Sequence, residues 1–465
     1  MIDTICDVYS RFGFEQLETP CIEYADALGK FLPDQEQVAE GVFEMKDDQD
    51  DKFLALRYDL TAPLARVVAE YRDDLPKPFR RYQYGPVWRR EKKPGKDRFR
   101  EFFQCDFDTI GCESMAADAE VCLVLSEAMH ALGIEEFVVR VNNRKLLNGL
   151  LKSLDISDPG KRLGVLRTLD KLDDIGLRGI EQLLGAGRKD QSGSEDKGLN
   201  LPQAAIDTVF EFLQCKKPTR AQTCDAIAEF ASGSPDGIEG VEDLRAIGEY
   251  LDVSGVSEES VVFDPSLVRG LEYYTGPVYE IELPFEVMIK GKPKKFGSVA
   301  GGGRYDYLVE RFTGQKVPAT GASIGVDRLL AALRELKKTE SEANVGPVVV
   351  TVMDKEQGVE YQKIVNELRG AGIRSEMYVG GSKFKAQMKY ADKRNSPAVI
   401  IAGGDEFESG TVTIKDMFEG KARSAEIKDN KVWRQQQPAQ STVKREDLVS
   451  AVQKILANTA RAEEA

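Results

Sequence analysis

Histidine is nearly absent from this sequence: among 465 residues there is one, His130. A Ser-His-Asp triad can be built only around that residue, and an HExxH zinc site or any cluster of several histidines is excluded. His130 lies in an apolar helical pattern that ends at Gly133, which favours a packed or surface helix residue over a catalytic one. Any catalysis by this protein therefore depends mainly on arginine, carboxylate, tyrosine and backbone groups. These groups favour reactions at phosphate.

Cysteine pairs and long apolar runs are also missing. The seven cysteines are scattered, odd in number and without a CxxC pair, which is typical of reduced thiols in a cytosolic protein rather than of a disulfide or zinc framework. The longest apolar runs, at 348–353 and 398–402, are far shorter than the roughly 20 residues that a membrane helix needs. No signal-peptide pattern opens the chain. We therefore expect a cytoplasmic protein without a membrane anchor.

Charge is distributed unevenly along the chain, whose formal net charge is −14. Residues from Gly346 onward carry 19 Lys/Arg and 17 Asp/Glu, so the acidic excess belongs to the preceding part. Within that acidic part, residues 77–100 contain ten basic and two acidic residues. Such a segment can bind a polyanion, because the local field is set by nearby charges. A solvated surface is an equally good interpretation of this segment taken alone.

Helical and strand patterns divide the chain into a catalytic-size domain, an insertion, a linker and a smaller domain. Residues 1–336 predict an α+β domain built on an antiparallel β-sheet flanked by helices. Helical patterns without strand signal predict a helical insertion at 144–255, with a polar, glycine-rich loop at 185–200 that we expect to be mobile. A charged linker at 337–346 precedes a predicted α/β domain with a mixed sheet at 347–465.

The pattern within the last domain alternates between strand and helix. Its second half predicts strands near 410–415 and 422–428, followed by a helix at 445–457. A mixed sheet flanked by helices is the arrangement that such an alternation favours.

A predicted β-hairpin carries the first candidate site. Its strands, 81–90 and 99–110, flank a basic turn at 92–97. Strand alternation places Arg89 and Glu91 on one face and Arg90 on the other. One face of the returning strand is shared by an arginine, an aromatic ring, an amide and two carboxylates: Arg100, Phe102, Gln104, Asp106 and Asp108. This face suits a nucleotide, although a polar outer sheet face with cross-strand pairs explains it equally well.

Three shorter segments complete the set of candidates. RGLEYYTG at 269–276 places an arginine beside two tyrosines, which elsewhere are more often core residues. GGGRYD at 301–306 permits close backbone approach to a ligand, although a β-bulge is the ordinary explanation. GASIGVDRLL at 321–330 runs from a strand into a helix, where Arg328 is either a ligand-binding or an ordinary solvated residue. Neither GxGxxG nor GxxxxGK[ST] occurs, so a nucleotide site here is neither a Rossmann nor a P-loop site.

In this order, the four segments resemble the class II aminoacyl-tRNA synthetases and, more narrowly, the histidyl-tRNA synthetase family. The hairpin resembles motif 2 of the class, GASIGVDRLL resembles motif 3, and motif 1 would lie around 14–24. RGLEYYTG, the most specific piece, and GGGRYD resemble two signatures of the family. LRYDLTAP at 56–63 and REFFQCDFD at 100–108 are similar to its eukaryotic and alphaproteobacterial branch. The resemblance covers nearly the whole chain and implies that 347–465 is an anticodon-binding domain.

The resemblance implies a histidine–tRNA ligase that uses ATP, together with Mg²⁺, to form histidyl-adenylate and pyrophosphate, and then charges tRNA(His). It implies a homodimer and no protein-bound metal. The implied catalytic residues are Arg269 and Arg89. The implied histidine-binding residues are Asp59, Thr61, Gln104, Asp108, Tyr273, Tyr274 and Tyr305. The implied ATP-binding residues are Arg89, Glu91, Arg98, Phe102 and Arg328.

Basic residues outside these sets are implied to contact tRNA. The turn with Lys92, Lys93 and Lys96 can approach the acceptor stem. A group on or near one helix of the last domain can meet the anticodon: Lys383, Lys385, Lys389, Lys393 and Arg394.

Two other functions stay open at this point. A histidine-binding regulator or a sensor of uncharged tRNA would tend to lose the catalytic arginine or the last domain, and this chain has both. A class II enzyme for glycine, threonine or proline is disfavoured by the paired tyrosines after Arg269. A class I synthetase is excluded, since its HIGH motif needs two histidines. Family members usually have an Arg-Gly stretch before the first helix, so we expect that this N-terminus, at Met1, is either assigned too late in the sequence or truncated.

Overall fold

The computed structural model describes residues 1–25, 41–47, 52–91, 99–156, 158–189, 195–270, 274–289, 292–336, 345–426 and 439–463. The chain forms two compact units, Met1–Lys338 and Thr339–Ala465. Among the described helices, none is long and apolar enough to cross a membrane. The predicted domain and linker boundaries remain predictions, and most of the predicted linker lies outside the described residues.

The first unit contains thirteen described strands and eleven described helices. Its strands are β1 (Glu15–Gln16), β2 (Ile22–Tyr24), β3 (Glu44–Lys46), β4 (Phe53–Leu56), β5 (Phe79–Trp88), β6 (Glu101–Ile110), β7 (Val138–Asn143), β8 (Gly187–Lys189), β9 (Glu195–Lys197), β10 (Val261–Phe263), β11 (Pro277–Ile289), β12 (Lys292–Arg304) and β13 (Ala319–Gly325). Its helices are α1 (Ile2–Arg11), α2 (Thr61–Glu70), α3 (Met115–Ala131), α4 (Arg144–Ser153), α5 (Pro159–Leu169), α6 (Leu172–Leu184), α7 (Gln203–Leu213), α8 (Arg220–Ala231), α9 (Pro235–Val253), α10 (Glu310–Thr313) and α11 (Val326–Glu335).

A large sheet organises this unit. In the described chain its eight strands have the order β1-β5-β6-β13-β12-β11-β7-β10. The six central strands pair antiparallel, as predicted. The two edge strands differ from the prediction, because β1 pairs with β5 and β10 pairs with β7 in parallel. A parallel pair requires a long crossover connection, and between β7 and β10 the helices α4–α9 supply it.

Strand β6 shows how the sheet separates a core from a polar surface. Cys105 and Phe107 are fully buried among apolar residues, with the Phe107 ring centroid 4.8 Å from that of Tyr9 on α1. The alternate residues, Gln104 and Asp108, line a cavity on the opposite face. This is the period-two alternation that the sequence predicts.

The predicted mobile loop at 185–200 is in part a small hairpin. Strands β8 and β9 pair antiparallel, and Leu199 and Leu201 continue the backbone contacts by donating to carbonyls near the end of α6. Residues 190–194 lie outside the described residues. The composition of this segment indicates a loop because its two strands are polar and only three residues long. The strands form nevertheless, because their backbone groups hydrogen-bond to each other.

The second unit has a mixed sheet, as predicted. Its elements are β14 (Val348–Val350), α12 (Gly358–Gly370), β15 (Ser375–Met377), α13 (Phe384–Lys393), β16 (Ala398–Ile401), α14 (Gly404–Ser409), β17 (Thr411–Asp416), α15 (Met417–Glu426), β18 (Gln440–Lys444), a 3₁₀ turn (Arg445–Asp447) and α16 (Leu448–Glu463). The described strands have the order β15-β14-β16-β17-β18, parallel across the first three and antiparallel across the last three.

One predicted strand of this unit is wrong. The segment near 422–428 is predicted as a strand, but its described part, up to Glu426, belongs to α15. Asp416 explains the difference, since its carboxylate accepts from the backbone N–H groups of Phe418 at 3.0 Å and Glu419 at 2.9 Å and so starts a helix. The fifth strand is β18, which begins fourteen residues after α15 ends.

Candidate active site

A cavity of about 1020 Å³ opens over the polar face of β6, β13 and β12. Ten predicted site residues line it: Asp59, Thr61, Arg89, Glu91, Gln104, Asp108, Arg269, Tyr274, Tyr305 and Arg328. Phe102 is not among the lining residues, although it contacts Arg89. Tyr273 and Arg98 lie outside the described residues, as does the basic turn with its three lysines.

Arg89 leaves the sheet just beyond the end of β5. Its Nε donates to the carbonyl of Tyr58 at 3.2 Å, and its guanidinium carbon lies 5.1 Å from the centroid of the Phe102 ring. This distance permits a cation–π contact that holds the arginine over the ring. Because β5 ends at Trp88, the predicted alternation does not extend to Arg90, and that residue lines the cavity together with its two neighbours.

Arg269 reaches the cavity wall between β11 and β12. Its Nη1 lies 3.0 Å from Glu280 Oε1 and donates to Ser298 Oγ at 3.1 Å. The arginine crosses directly over Gly301, where a Cβ would lie 2.3 Å from Nη1. Glycine at this position therefore makes room for the guanidinium.

The glycine run at 301–303 is not a β-bulge. These three residues pair in regular register with Glu280, Tyr279 and Val278 of β11. The register shift lies next to them, where Ala300 pairs with Ile281 and Ser298 pairs with Glu282, so that Val299 is the extra residue. The glycines thus permit close approach, by the Arg269 side chain at Gly301, by the backbone of β13 at Gly302, and by the Tyr274 ring and the carbonyl of Pro277 at Gly303.

Arg328 lies in the first turn of α11, and its Nη2 donates to the carbonyl of Phe296 at 3.3 Å. The preceding residue, Asp327, accepts from the backbone N–H of Phe103 at 2.7 Å. This contact fixes the start of α11 against β6. Arg328 and the hairpin residues are therefore held on the same rigid frame.

A buried ion pair supports the acidic side of the cavity. Asp108 lies 3.0 Å from Nη2 of Arg81, which is fully buried, and Asp108 also accepts from the Tyr305 hydroxyl. Burial raises the pKa of Asp108, while Arg81 and Tyr305 oppose that shift by favouring the carboxylate. Arg81 belongs to the basic segment at 77–100, but alternation turns it inward, so it is not part of a surface patch.

Asp59 approaches the same cavity from the residues before α2. Its Oδ1 accepts from the backbone N–H of Ala62 at 2.9 Å. Burial raises the pKa of Asp59, and the N–H groups of this helix end and the charge of Arg89 oppose the shift. The cavity therefore has arginines on one part of its wall and buried carboxylates on another.

Asp106 is absent from the residues that the resemblance assigns to histidine or ATP, although alternation already placed it on the same face. It is 2% exposed and lines the cavity, and its Oδ1 has no hydrogen-bond partner among the described residues. The same holds for Oε1 of Gln104, whose Nε2 donates to Ser323 Oγ at 2.6 Å. Burial raises the pKa of Asp106 to about 7, and Arg81 and Ser323 oppose that shift.

No group of three or more His, Cys, Asp or Glu residues in the described part of the chain is arranged to hold a metal ion. The buried cysteines are free thiols. His130 does not line the cavity, and its Nδ1 lies 3.3 Å from Oε2 of Glu135. The site therefore depends on guanidinium, carboxylate, amide and phenol groups.

The antiparallel core of the sheet, its motif 2 hairpin and the arginine at the start of α11 form the fold of a class II aminoacyl-tRNA synthetase. Residues 1–329 match the family model "Histidyl-tRNA synthetase", and residues 347–455 match "Anticodon binding domain". The chain belongs to the histidyl-tRNA synthetase family, so the predicted resemblance is confirmed.

Curated relatives and solved structures agree with this assignment. Histidine–tRNA ligases from Brucella ovis and Cereibacter sphaeroides are each 53% identical to this chain, covering 99% and 98% of it and 93% and 94% of their own lengths. The crystal structure of histidyl-tRNA synthetase from Nostoc sp. PCC 7120 has a TM-score of 0.70 at 27% identity, covering 97% of this chain and 94% of its own. An apo histidyl-tRNA synthetase from S. aureus, at 20% identity and a TM-score of 0.58, covers 97% of this chain and 93% of its own and shares the fold.

Proposed function

We propose that this chain activates L-histidine with ATP and then charges tRNA(His). In the first step a carboxylate oxygen of histidine bonds to the α-phosphorus of ATP, the bond to the bridging β-phosphate oxygen breaks, and pyrophosphate leaves. In the second step the terminal ribose hydroxyl of the tRNA attacks the carbonyl carbon of histidyl-adenylate. The hydroxyl proton is lost, and AMP leaves with the bonding electron pair.

One observation carries this proposal: arginines and buried carboxylates line the same cavity. Arg89, Arg269 and Arg328 supply three cations for a triphosphate, while Asp59 and Asp108 supply acceptors for an amino acid. Planar guanidinium groups match phosphate oxygens in geometry as well as charge. A carboxylate that attacks phosphorus brings negative charge into the cavity that these three arginines line.

Each arginine has a distinct role in the proposal. Arg89 binds the α-phosphate while Phe102, in contact with its guanidinium, stacks on adenine. Arg328 reaches the γ-phosphate from the start of α11. Arg269 stabilises the charge that develops as the carboxylate attacks, and its contacts with Glu280 and Ser298 hold it in place before substrate binds. Such preorganisation is usually the largest electrostatic contribution to catalysis. Arg98 is proposed as a further ATP contact.

The histidine site is proposed on the acidic wall. Asp59, Thr61 and Gln104 bind the α-ammonium group, and Asp108 with Tyr274 binds the two imidazole nitrogens. Tyr273 and Tyr305 complete the pocket: Tyr305 does so by donating to Asp108, which favours the ionised form of that carboxylate and orients it. An amino acid without these polar atoms leaves the groups of the site unpaired. In analogous sites this discriminates by roughly 10⁴–10⁵.

Mg²⁺ is proposed to arrive with ATP. Mg²⁺ is ordinarily bound by one or two carboxylates together with substrate phosphates, and Glu91 supplies a carboxylate on the cavity wall next to Arg89. Glu91 would therefore hold the ion, whose charge would screen the phosphates from the approaching carboxylate.

The proposed tRNA contacts are divided between the two units. The basic turn is proposed to meet the acceptor stem, and the exposed lysines of α13 (Lys385, Lys389 and Lys393) are proposed to meet the anticodon. Arg394 forms an ion pair with Glu376, with 3.1 Å between Nη2 and Oε2, so the lysines are the stronger candidates for contact with the anticodon. A cytoplasmic homodimer is also proposed, and sedimentation equilibrium would test its mass.

Amino-acid-dependent exchange between ATP and pyrophosphate tests the function. We expect exchange with histidine and none with the other nineteen amino acids. Arg269→Ala is expected to lower the rate about 10²–10³-fold, the usual effect of removing one preorganised donor. Arg245→Ala is a matched control, since that exposed arginine of α9 pairs with Asp225 of α8 and does not line the cavity. Binding of histidine without exchange would instead support a regulator.

A further inference from the structure

Asp106 is a buried carboxylate that faces the cavity and has no role in the proposed reaction. It lies on β6 between Gln104 and Asp108, with all three side chains on the same face of the strand. Its Oδ1 has no hydrogen-bond partner in the described structure, although the residue is 2% exposed. A buried acceptor without a donor is costly unless a ligand supplies one.

The surroundings of Asp106 hold more carboxylates than available cations. The charged and titratable groups that act on it electrostatically are Asp108 on the same face of its strand, Arg81 on β5, Arg57 after β4 and Asp59 before α2, together with Cys105 and Tyr9 on the opposite, apolar face of the sheet. Both arginines have other acceptors, because Arg81 contacts Asp108 and donates to Leu60 O at 2.9 Å, while Arg57 donates to Thr19 O at 2.7 Å. This wall therefore attracts a cationic ligand.

Gln104 and Asp106 present a matched pair of acceptors. The amide nitrogen of Gln104 is held by Ser323 Oγ, which leaves Gln104 Oε1 as an acceptor toward the cavity. Ser323 also hydrogen-bonds to Asp106 and so holds both side chains. An imidazole N–H satisfies one acceptor at a time, whereas an ammonium group has three donors and is charged at neutral pH.

We propose that Asp106 binds the α-ammonium group of histidine together with Gln104, a role that rests on the function proposed above. Asp106 is thus a substrate-binding residue in addition to Asp59 and Thr61, and one of the three ammonium N–H groups is shared between two of these acceptors. Asp106 orients the α-carbon so that the substrate carboxylate points toward the arginines.

Binding through Asp106 is coupled to a proton. The pKa of Asp106 is about 7 in the free protein, so at pH 7 about half of the molecules carry a proton there. An ammonium group favours the ionised form and lowers that pKa, so binding expels the proton. The affinity for histidine therefore falls as the pH drops below 7.

Asp106→Asn is the direct test, since it keeps the shape and removes the charge. We expect the KM for histidine in the exchange assay to rise about 10- to 100-fold, as for loss of a hydrogen bond to a charged group. The KM for ATP and the kcat at saturating histidine should change less than about threefold, a split that general loss of structure would not give. An unchanged KM for histidine would overturn the proposal.

Two histidine analogues identify the group that Asp106 contacts. Histidinol keeps the ammonium group and lacks the carboxylate, whereas imidazolepropionate lacks the ammonium group. Asp106→Asn should weaken inhibition by histidinol as much as it weakens histidine binding, and leave inhibition by imidazolepropionate unchanged. Equal weakening of both analogues would overturn the assignment to the ammonium group.

A measurement on the unaltered protein keeps the proposal testable if the variant does not fold. Calorimetry at pH 7 in two buffers of different ionisation enthalpy counts the protons released on binding. Each analogue also releases protons from its own imidazole, whose pKa the ammonium group of histidinol lowers and the carboxylate of imidazolepropionate raises, so this contribution is subtracted by use of the free analogue's titration curve. The remainder should be about half a proton larger for histidinol than for imidazolepropionate. No difference would contradict the proposal.

The outcomes separate this inference from the proposed function. Failure of the unaltered protein to exchange pyrophosphate with histidine would reject the function itself. Exchange by the unaltered protein, combined with an unchanged KM for histidine in Asp106→Asn, would reject the role of Asp106 alone.

Discussion

The two faces of β6 are equally buried and chemically opposite. On one face Cys105 and Phe107 pack among apolar side chains, while on the other Gln104, Asp106 and Asp108 border the cavity. All five are less than 10% exposed. Burial stabilises the fold on the first face, whereas on the second it desolvates polar groups and raises carboxylate pKa values. The side chains that stabilise the fold thus lie on one face of β6, and those that line the binding cavity lie on the other.

The largest effect should come from the apolar face. Phe107→Ala removes a fully buried ring that lies 4.8 Å from Tyr9 and 5.3 Å from Phe14, centroid to centroid. We expect the free energy of unfolding of the first unit to fall by about 3–5 kcal/mol, the usual cost of such a cavity. Urea denaturation followed by circular dichroism measures it. Tyr250→Ala, at a half-exposed aromatic of α9, is the control, and a similar loss in both variants would contradict the comparison.

The second effect should reduce activity while leaving stability nearly unchanged. Gly301→Ala places a Cβ 2.3 Å from Arg269 Nη1, and the flexible arginine must move because the strand cannot. We expect kcat for pyrophosphate exchange to fall about 10²-fold, as when one preorganised donor is displaced, with little change in melting temperature.

Gly370→Ala is the matched control for this variant, because no atom lies within 4 Å of its added Cβ. Full activity of Gly301→Ala would show that Arg269 tolerates displacement. A large loss of stability would show instead that the two faces of the sheet are not separable here.

Local patterns predict much of this site, and long-range pairing explains the remainder. Alternation alone places Gln104, Asp106 and Asp108 on one face, and glycine spacing indicates close approach at 301–303. No local pattern indicates that Gly301 makes room for Arg269, because the two meet only through the pairing of β11 with β12. The resemblance to the family implies the role of Arg269. It does not indicate the contacts that hold the arginine in place.

The same limit explains the errors in the fold. The ten basic residues of the segment at 77–100 indicate a surface, yet Arg81 is buried against Asp108, 27 positions away, because β5 and β6 pair in that register. The parallel pairing of β10 with β7 depends on where the insertion returns the chain, and that of β1 with β5 depends on the long connection between those two strands. The strand expected near 422–428 is replaced by a helix that one carboxylate, Asp416, starts.

A smaller effect should come from the polar face. Tyr305→Phe removes the hydroxyl that donates to Asp108, which disfavours the carboxylate and raises its pKa further. We expect the KM for histidine to rise about tenfold. The ratio of variant to original KM should grow as the pH falls, since the variant protonates Asp108 at a higher pH.

Steady-state exchange between pH 6 and 8 measures this ratio. Tyr307→Phe is the control, because that tyrosine is half exposed and lies outside the cavity lining. A ratio that stays constant with pH would indicate that Tyr305 acts through packing rather than through the charge of Asp108.

The smallest effect tests the other half of the comparison, namely that the polar face lowers stability. The pKa of Asp106 is about 7 in the folded chain, whereas an exposed aspartate has a pKa of 3.8. Between these two pH values the folded chain holds a proton that the unfolded chain has released, so Asp106 makes stability decline as the pH rises from 4 to 7. Asn does not titrate. We therefore expect the melting temperature of Asp106→Asn, without ligand, to exceed that of the unaltered protein by a few degrees at pH 8, and the difference to shrink toward pH 4.

Histidine should narrow this difference, because an ammonium group compensates the charge that only the unaltered protein carries. Differential scanning calorimetry with and without histidine at pH 5, 6.5 and 8 gives the comparison. A difference that does not vary with pH would mean that Asp106 stays ionised in the free protein and is already compensated. The polar face would then be a second stabilising core, and β6 would not divide stability from binding.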